Sequence, residues 1–240
     1  MVDTRVIHPA GVSGAAWSAH VITRMSTTID VYPGDDVMPL VEETRTRAQE
    51  LFQGLLDRRG VRSTIEVTAF YDGPSESIRY VGPDARWAVG LDLGFGYWID
   101  GVWSSSSWPS CYEWDDDDVL TAEDVEGNPG GVSPDLVGRR WIAEPLSRVV
   151  SADRLARILR RDHFWREYRS AAGHAVASTG YGLVAAALAE ATGGVVASWD
   201  SAFDVEHNGE SAEQFLTWWG DQQVDFYGEA IFRGAASVHD

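Results

Sequence analysis

The sequence contains no lysine, so all nineteen of its basic residues are arginines. Its 37 acidic residues give the 240-residue chain a formal net charge of -18. The negative electrostatic field of such a chain repels DNA, RNA and anionic membranes and attracts basic partners. The charge therefore argues against nucleic-acid binding, although not against nucleic-acid mimicry, and favours a basic protein as the partner. An arginine-only composition is typical of a GC-rich genome and indicates an actinobacterial source.

Cysteine is nearly absent as well, because Cys111 is the only one. A single cysteine excludes an internal disulfide framework and a cysteine-based zinc site, and it fits a reducing cytoplasm. The first residues, MVDTRVIHPAGVSG, lack the apolar core of a secretory signal. The most apolar run, 182–197, is interrupted by Glu190 and by glycines, and it falls short of a membrane span. We therefore expect a soluble cytoplasmic protein.

The order of strand and helix patterns predicts an α+β fold. In the N-terminal half, β-branched and aromatic runs separated by turn residues predict an antiparallel sheet, and these runs are 17–25, 27–33, 61–72, 76–81, 86–94 and 96–108. One early helix is predicted between Val37 and Arg59, and Gly60 ends it. The C-terminal half is predicted to be mostly helical and packed on the sheet, with helices in 141–150, 151–171, 179–191 and 211–219 and one short strand in 193–200.

Three capping residues mark the predicted starts of C-terminal helices: Ser151, Thr179 and Ser211. Within the second of the four helical segments, His163 and Glu167 are predicted to form an i, i+4 pair on an amphipathic helix. The chain is predicted to be a single domain over 1–240. The acidic and Gly- and Pro-containing loop 111–134 is the alternative place for an internal boundary.

Two motifs have the outline of a cofactor or metal site. Residues Gly180–Ala185 match G-x-G-x-x-A, but no clear strand precedes them, so a helix that needs small residues for packing is the preferred interpretation. Residues Asp204–Gly209 resemble the first half of a calcium loop, but the twelfth position, which should be a glutamate, is Phe215. We therefore expect no cofactor and no metal site.

The sequence has neither the G-x-S-x-G elbow of a serine nucleophile nor the H-E-x-x-H pair of a zinc protease. Carboxylates near Cys111 raise the pKa of a thiol and make it a poor nucleophile. We therefore predict a non-enzymatic protein with no catalytic residues. Two alternatives stay open, namely nucleotide binding at Gly180–Gly182 and a small enzyme with a dispersed site, for which the candidate residues are Asp92, Asp100, Glu113 and His163.

The densest group of carboxylates lies in residues 108–124, which we name the acidic segment. Adjacent carboxylates on a loop point in different directions, so few of them could reach one metal ion. Aromatic residues beside carboxylates are instead typical of a surface that binds an arginine- and lysine-rich partner. The predicted partner-binding residues are Trp108, Tyr112, Glu113, Trp114, Asp115, Asp116, Asp117, Asp118, Glu123 and Asp124.

The C-terminal quarter carries a resemblance to a known family. Its residues 183–219, LVAAALAEATGGVVASWDSAFDVEHNGESAEQFLTWW, are similar to the C-terminal part of bacterial polymorphic-toxin immunity proteins. The resemblance implies a non-enzymatic cytoplasmic inhibitor that binds a toxin domain and protects its producer. It implies no catalytic residues. The predicted function is therefore binding and neutralisation of a cognate toxin, and a structural or regulatory module without a toxin partner is a further alternative.

Overall fold

The computed structural model describes residues 27–71, 79–127, 137–169 and 173–233. These residues form antiparallel sheets and helices, so the predicted α+β fold is confirmed. The strands are β1 (Thr27–Tyr32), β2 (Ile65–Tyr71), β3 (Arg79–Tyr80), β4 (Leu93–Ile99), β5 (Val102–Ser107), β6 (Pro109–Glu113), β7 (His163–Arg169) and β8 (Val195–Ala197). The helices are α1 (Val41–Arg58), α2 (Ala122–Gly127), α3 (Ala143–Ser147), α4 (Ala152–Ile158), α5 (Ala175–Ala191), α6 (Ala212–Leu216) and α7 (Trp219–Tyr227). The strand predicted for 17–25 lies outside the described residues.

The described strands form two four-stranded sheets rather than one. The first sheet has the order β6-β7-β1-β8, and the second has the order β3-β2-β4-β5. In the second sheet, β4 and β5 are joined by Asp100 and Gly101, whose φ angles are 50° and 77°. Two consecutive positive φ angles are typical of a tight hairpin turn, and Asp-Gly is its usual sequence. The predicted run 96–108 is therefore divided into two strands.

The helix predicted over 151–171 is wrong in its second half, because β7 is a strand inside the first sheet. It pairs with β1 on one side and with β6 on the other. Trp165 belongs to the main hydrophobic core, while its neighbour Phe164 packs in a second cluster on the opposite face. Residues i and i+4 share a face in a helix and also in a strand. The His163–Glu167 spacing therefore fits both structures, and pairing with β1 and β6 makes the segment a strand.

The early helix α1 is confirmed and packs beside the second sheet. Its apolar stripe is buried, and Gly60 follows its end with a φ of 66°. Polar side chains of α1 satisfy the backbone of β2. The side-chain oxygen of Gln49 accepts a hydrogen bond from the Val67 N–H, and that of Gln53 accepts one from the Ile65 N–H, both at 2.9 Å. The helix thereby covers part of the edge of the second sheet.

Helix α5 lies in the core and contacts both sheets. It begins at Ala175, with His174 as its N-cap, so Thr179 does not cap it as predicted. The Thr179 hydroxyl instead donates to the Ala175 carbonyl from inside the helix. A Cβ at Gly180 would lie 2.2 Å from a ring carbon of Tyr97. The preferred interpretation of Gly180–Ala185, a helix that needs small residues for packing, is therefore confirmed.

The other helix starts follow the sequence closely. The hydroxyl of Ser151 accepts from the Arg154 N–H at the start of α4, and that of Ser211 accepts from the Gln214 N–H at the start of α6. Both predicted N-caps are therefore confirmed, as is the short strand β8. The helix predicted over 141–150 is reduced to the five residues of α3. Within the described ranges, no helix is both long and apolar enough to span a bilayer.

Two hydrophobic clusters lie on opposite faces of the first sheet. The main core contains Val31 and Trp165 and joins this sheet to the second sheet and to α5. The second cluster contains Tyr32 and Phe164, together with residues of α3 and α4. Successive strand residues thus alternate between the two clusters, as the pleat of a strand requires. The first sheet is therefore covered on both faces.

Candidate functional site

The acidic segment begins on β6, which is an outer strand of the first sheet. It continues through a single 3-10 turn over Asp116–Asp118 and ends in α2. The ten residues predicted to bind a partner therefore lie along one side of the fold, from the edge strand to the first turn of α2. The side chain of Asp117 lies outside the described part of the structure.

The three aromatic residues of the acidic segment have different environments. Trp114 is half-buried between Tyr32 and Phe164, with ring centroids at 5.8 and 4.4 Å. Tyr112 is 45% exposed and Trp108 is 40% exposed. Trp114 therefore belongs to the packing of the second cluster. Tyr112 also stacks on Phe164 at 5.7 Å and Trp108 packs edge-on against Phe70 at 5.1 Å, so only the exposed part of each of these two rings is available to a partner.

Asp118 is built into the fold. One of its carboxylate oxygens accepts from the Trp141 indole N–H at 3.2 Å, and the other accepts from the Asp115 backbone N–H at 3.1 Å. Burial lowers the pKa of the Arg140 guanidinium, and the charges of Asp118 and Asp162 offset part of this effect. The Arg140 guanidinium lies 4.8 Å from the Trp114 ring centroid. Asp118 therefore helps to hold the acidic segment against the second cluster.

The other described carboxylates of the acidic segment are exposed, and they are Glu113, Asp115, Asp116, Glu123 and Asp124. Asp124 accepts hydrogen bonds from both the N–H and the hydroxyl of Thr121, at 2.7 and 2.6 Å. The Thr121 hydroxyl in turn accepts from the Asp124 N–H at 3.2 Å, so the two residues cap the start of α2 reciprocally. Exposed carboxylates with similar charge repel one another, and this repulsion is relieved when a cationic partner binds.

Cys111 is buried at the base of the acidic segment, where it is 1% exposed. Burial raises the pKa of its thiol to about 12, with a smaller contribution from the charge of Asp162. The prediction that Cys111 is a poor nucleophile agrees with this environment. The main cause is burial in the core rather than the neighbouring carboxylates of the segment.

The four residues of the dispersed enzyme alternative belong to three parts of the fold. Glu113 of β6 lies opposite His163 of β7, and the Nδ1 of the buried His163 is 2.7 Å from Asp162 Oδ1. Asp92 accepts from the Ser110 hydroxyl, while Asp100 accepts from the Thr64 N–H in the β4–β5 turn. Asp92, Asp100 and His163 thus have local side-chain partners, whereas Glu113 has none among the described residues, and Asp100 belongs to the other sheet.

A second candidate site lies between the sheets, at the N-terminus of α5. It is a cleft of about 210 Å³ that we name the serine cleft. Its described lining comes from β5, the end of β7 and the first turns of α5, and it consists of Ser105, Ser106, Ser107, Trp108, Glu167, Tyr168, Arg169, Gly173, His174, Ala177, Ser178 and Tyr181. Glu167 is the one carboxyl in this lining, in a chain whose net charge is -18.

Glu167 is buried, with 6% of its surface exposed. Its Oε1 accepts from the Trp108 N–H at 2.8 Å, whereas its Oε2 has no hydrogen-bond partner among the residues described. Burial raises the pKa of this carboxyl well above its ordinary value, although the Trp108 N–H and the Ser107 hydroxyl lower it in part. Burial therefore favours the neutral, protonated form of the Glu167 carboxyl.

Three more polar groups of the serine cleft are buried without a partner in the described ranges. They are the hydroxyls of Ser105 and Ser178 and the Nε of Arg169. An unpaired buried polar group typically costs about 1–3 kcal/mol, so such groups are rare in folded proteins. Together with Glu167 Oε2, four of these groups lie in the lining of one cleft. Their grouping is what a binding site for a polar ligand requires.

Sequence reasoning missed the serine cleft. The sequence predicts Glu167 beside His163 on an amphipathic helix, and it predicts the serines before Trp108 as part of the strand run 96–108. The available signal was in β7, where Glu167 lies two residues after Trp165 and therefore shares the core-facing side of the strand. Four serines in succession on one strand were a second signal, because serine is not favoured in strands.

The calcium-like loop has a structural explanation. The side-chain oxygen of Asn208 accepts from the Ser198 N–H at 2.7 Å, and His207 Nδ1 is 2.8 Å from Glu210 Oε1. Phe215, at the position of the missing glutamate, is buried in α6. In the described part of the chain, no group of three or more His, Cys, Asp or Glu side chains is placed to hold a metal ion.

Comparison with known proteins gave no match. No protein-family model, no curated protein and no solved structure matches this chain. The function must therefore be argued from the acidic segment and the serine cleft themselves.

Proposed function

We propose that the chain binds a basic partner protein through the acidic segment and acts in the cytoplasm as an immunity protein that neutralises a toxin domain. The observation that carries this proposal is the exposed row of carboxylates beside the exposed ring of Tyr112. Glu113, Asp116 and Glu123 are exposed and have no described side-chain hydrogen bond or ion pair. Their charges are thus available to a partner.

The structure of the acidic segment suits fast association with a cationic surface. Long-range attraction between opposite charges raises the association rate, and the net charge of -18 adds to the local field. The segment is also held in place, because Trp114 packs on Phe164 and Asp118 bonds to Trp141. A surface that is already ordered loses less conformational entropy when it binds.

The identity of the partner class rests on the resemblance of residues 183–219 to immunity proteins. These residues form most of α5, all of β8 and all of α6. They lie mainly in the core, so they explain a shared fold better than a shared binding surface. In this proposal the acidic segment, which lies outside the resemblance, determines which toxin is bound.

A second candidate function is a small enzyme, and one observation favours it. Strongly shifted pKa values concentrate at functional sites, and Glu167 in the serine cleft has such a value. The nucleotide-binding alternative has less support. A Cβ at Gly182 would lie 2.1 Å from the Trp219 indole nitrogen, so this glycine is packed against a side chain and leaves no room for a phosphate.

The test measures binding to a toxin domain encoded by the neighbouring gene. The test variant Glu113→Gln/Asp116→Asn removes two exposed charges of the acidic segment. The matched control Glu66→Gln/Asp84→Asn removes two exposed charges from β2 and from the loop after β3. We expect the test variant to associate severalfold more slowly at low salt and to show a flatter salt dependence.

The control variant should associate much as the wild type does, and wild-type chain should protect a host that expresses the toxin domain. Equal association rates for the two variants would show that the acidic segment is not the recognition surface. Failure of the wild-type chain to bind or to protect would contradict the immunity function itself.

A further inference from the structure

We propose that the serine cleft is a binding site for a small anion that carries a carboxylate or phosphate group. The inference is independent of the partner-binding function. It rests on buried polar atoms that have no hydrogen-bond partner among the described residues and that belong to residues lining one cleft from three elements.

Arg169 supplies the fixed positive charge. Its Nε is buried and has no acceptor among the described residues, while one of its terminal nitrogens lies 3.5 Å from Gln223 Oε1, at the limit of a hydrogen bond. Its guanidinium carbon lies 6.0 Å from the centroid of the Trp219 ring, which helps to fix the plane of the group. A guanidinium that is held in place with a free N–H is suited to bind an oxyanion.

The N-terminus of α5 supplies a second set of donors. The helix has 17 residues, and its first N–H groups have no partner within the helix. The N-cap His174 uses Nδ1 to accept from the Val176 N–H at 3.4 Å. The neutral form of this ring therefore carries its proton on Nε2, which becomes another donor. Helix N-termini favour anions through these N–H groups and through the helix dipole.

The unpartnered hydroxyls distinguish this cleft from an ordinary helix N-terminus. Ser178 is 2% exposed, and its hydroxyl has no partner in the described ranges. The hydroxyl of Ser105 approaches the same cleft from β5 and is also unpartnered there. A hydroxyl hydrogen rotates to suit its partner, so each of these two groups can donate to an oxygen of the ligand. An anion with several oxygens could accept from both of them at once.

Glu167 is compatible with an anion in its protonated form, which its burial favours. Its protonated form donates one hydrogen bond, and its free Oε2 can supply that donor. The charged and titratable groups near it are Tyr97 of β4, Tyr181 and His174 of α5, and Arg169 of β7. Tyr97 and Tyr181 are neutral, since burial raises the pKa of each phenol well above its ordinary value. No charged carboxylate therefore opposes an anion in the described lining.

The size of the cleft limits the ligand. At about 210 Å³ it is smaller than the pockets that hold drug-sized molecules. Trp108 and Tyr168 line it and are 40% and 70% exposed, so they provide apolar surface at its mouth. The ligand is therefore a small carboxylate or phosphate, either free or at the end of a larger molecule that extends over these rings.

Calorimetric titration of the full chain with sodium phosphate and with sodium acetate tests this proposal, with sodium chloride added to match the ionic strength. We expect saturable binding of at least one of the two anions. Saturable binding of phosphate but not of acetate would identify a phosphate site. Saturable binding of acetate but not of phosphate would identify a carboxylate site. The variant Arg169→Gln should lower the affinity roughly tenfold, because a charged donor is removed. The control Arg62→Gln, at an exposed arginine, should bind as the wild type does.

A second variant separates binding from folding. Ser178→Ala removes an unpartnered hydroxyl, so it should lower the affinity severalfold while leaving the melting temperature equal or higher. A merely structural serine would lower the melting temperature and leave the affinity unchanged. The proposal is overturned if neither anion binds saturably, or if Arg169→Gln and Ser178→Ala both bind like the wild type.

Discussion

The indole ring of Trp114 lies against the ring of Phe164, with centroids 4.4 Å apart and planes inclined by 32°. A residue that the sequence placed in a recognition surface is thus part of the second hydrophobic cluster. This contact fixes the direction in which the chain leaves β6. It therefore determines where the exposed carboxylates of the acidic segment lie.

The first prediction separates the two aromatic residues of this region. Trp114→Ala should lower the free energy of unfolding by about 2 kcal/mol, because a half-buried ring between Tyr32 and Phe164 is lost. Tyr112→Ala should cost less than about 1 kcal/mol, because the ring is 45% exposed. Denaturant unfolding of both variants measures the difference. Equal losses would show that Trp114 is not an anchor of the second cluster.

The second prediction divides the aspartates of the acidic segment. Asp118→Asn should lower the free energy of unfolding by about 1 kcal/mol, since the carboxylate accepts from Trp141 and from the Asp115 N–H. Asp116→Asn should leave the melting temperature unchanged or slightly higher, because an exposed like charge is removed. Calorimetry of the two variants provides the test. A loss of stability in Asp116→Asn would reveal a structural role for the exposed part of the run.

The third prediction concerns the pH dependence of stability at Glu167. Its pKa is raised in the folded chain, so the folded state binds a proton more tightly than the unfolded state does. The contribution of Glu167 to the free energy of unfolding is fully present below its ordinary pKa of 4.5. It is lost as the pH rises toward the raised pKa of the folded state. Glu167→Gln keeps a neutral side chain and removes this dependence. The variant should therefore gain stability relative to the wild type as the pH rises above 4.5.

Unfolding by denaturant at several pH values measures this difference. The comparison with the variant isolates Glu167 from the many other carboxylates of the chain. A constant difference between wild type and variant across the range would show that Glu167 has an ordinary pKa.

The fourth prediction compares two helical glycines. Gly180→Ala should destabilise the protein by about 1–3 kcal/mol, because the added carbon would lie 2.2 Å from the Tyr97 ring. Gly54→Ala in α1 is the matched control, since its nearest neighbour would be a flexible Arg58 nitrogen at 3.7 Å. The control should gain about 0.5–1 kcal/mol from helix propensity. A lower melting temperature for Gly180→Ala together with a higher one for Gly54→Ala would confirm the packing of α5. A higher melting temperature for both variants would contradict it.

Part of the fold could be predicted from local patterns. The stripe of α1, the caps Ser151 and Ser211 and the short strand β8 each depend on residues close together in the chain. Capping and helical periodicity act within one or two turns, so the local sequence is sufficient. The strand β7 could not be assigned in this way, because the spacing of its residues fits a helix and a strand equally well.

The candidate sites show the same division. The sequence located the acidic segment, because a run of aspartates is a local feature. It did not separate Asp118 from Asp116, since that difference depends on Trp141, which lies 23 residues further along the chain. Nor did it indicate the serine cleft, whose walls come from β5, β7 and α5.

The sequence by itself determined the sign and size of the charge, the α+β class, the early helix and the position of the carboxylates. Only the tertiary structure decided which carboxylates are exposed and which ring is buried. It also decided that Glu167 and Ser178 line one cleft. The physical reason is that burial and unsatisfied hydrogen bonds depend on residues brought together from distant parts of the chain. A local pattern gives the chemistry of a side chain, while its neighbours in the fold set its protonation and its accessibility.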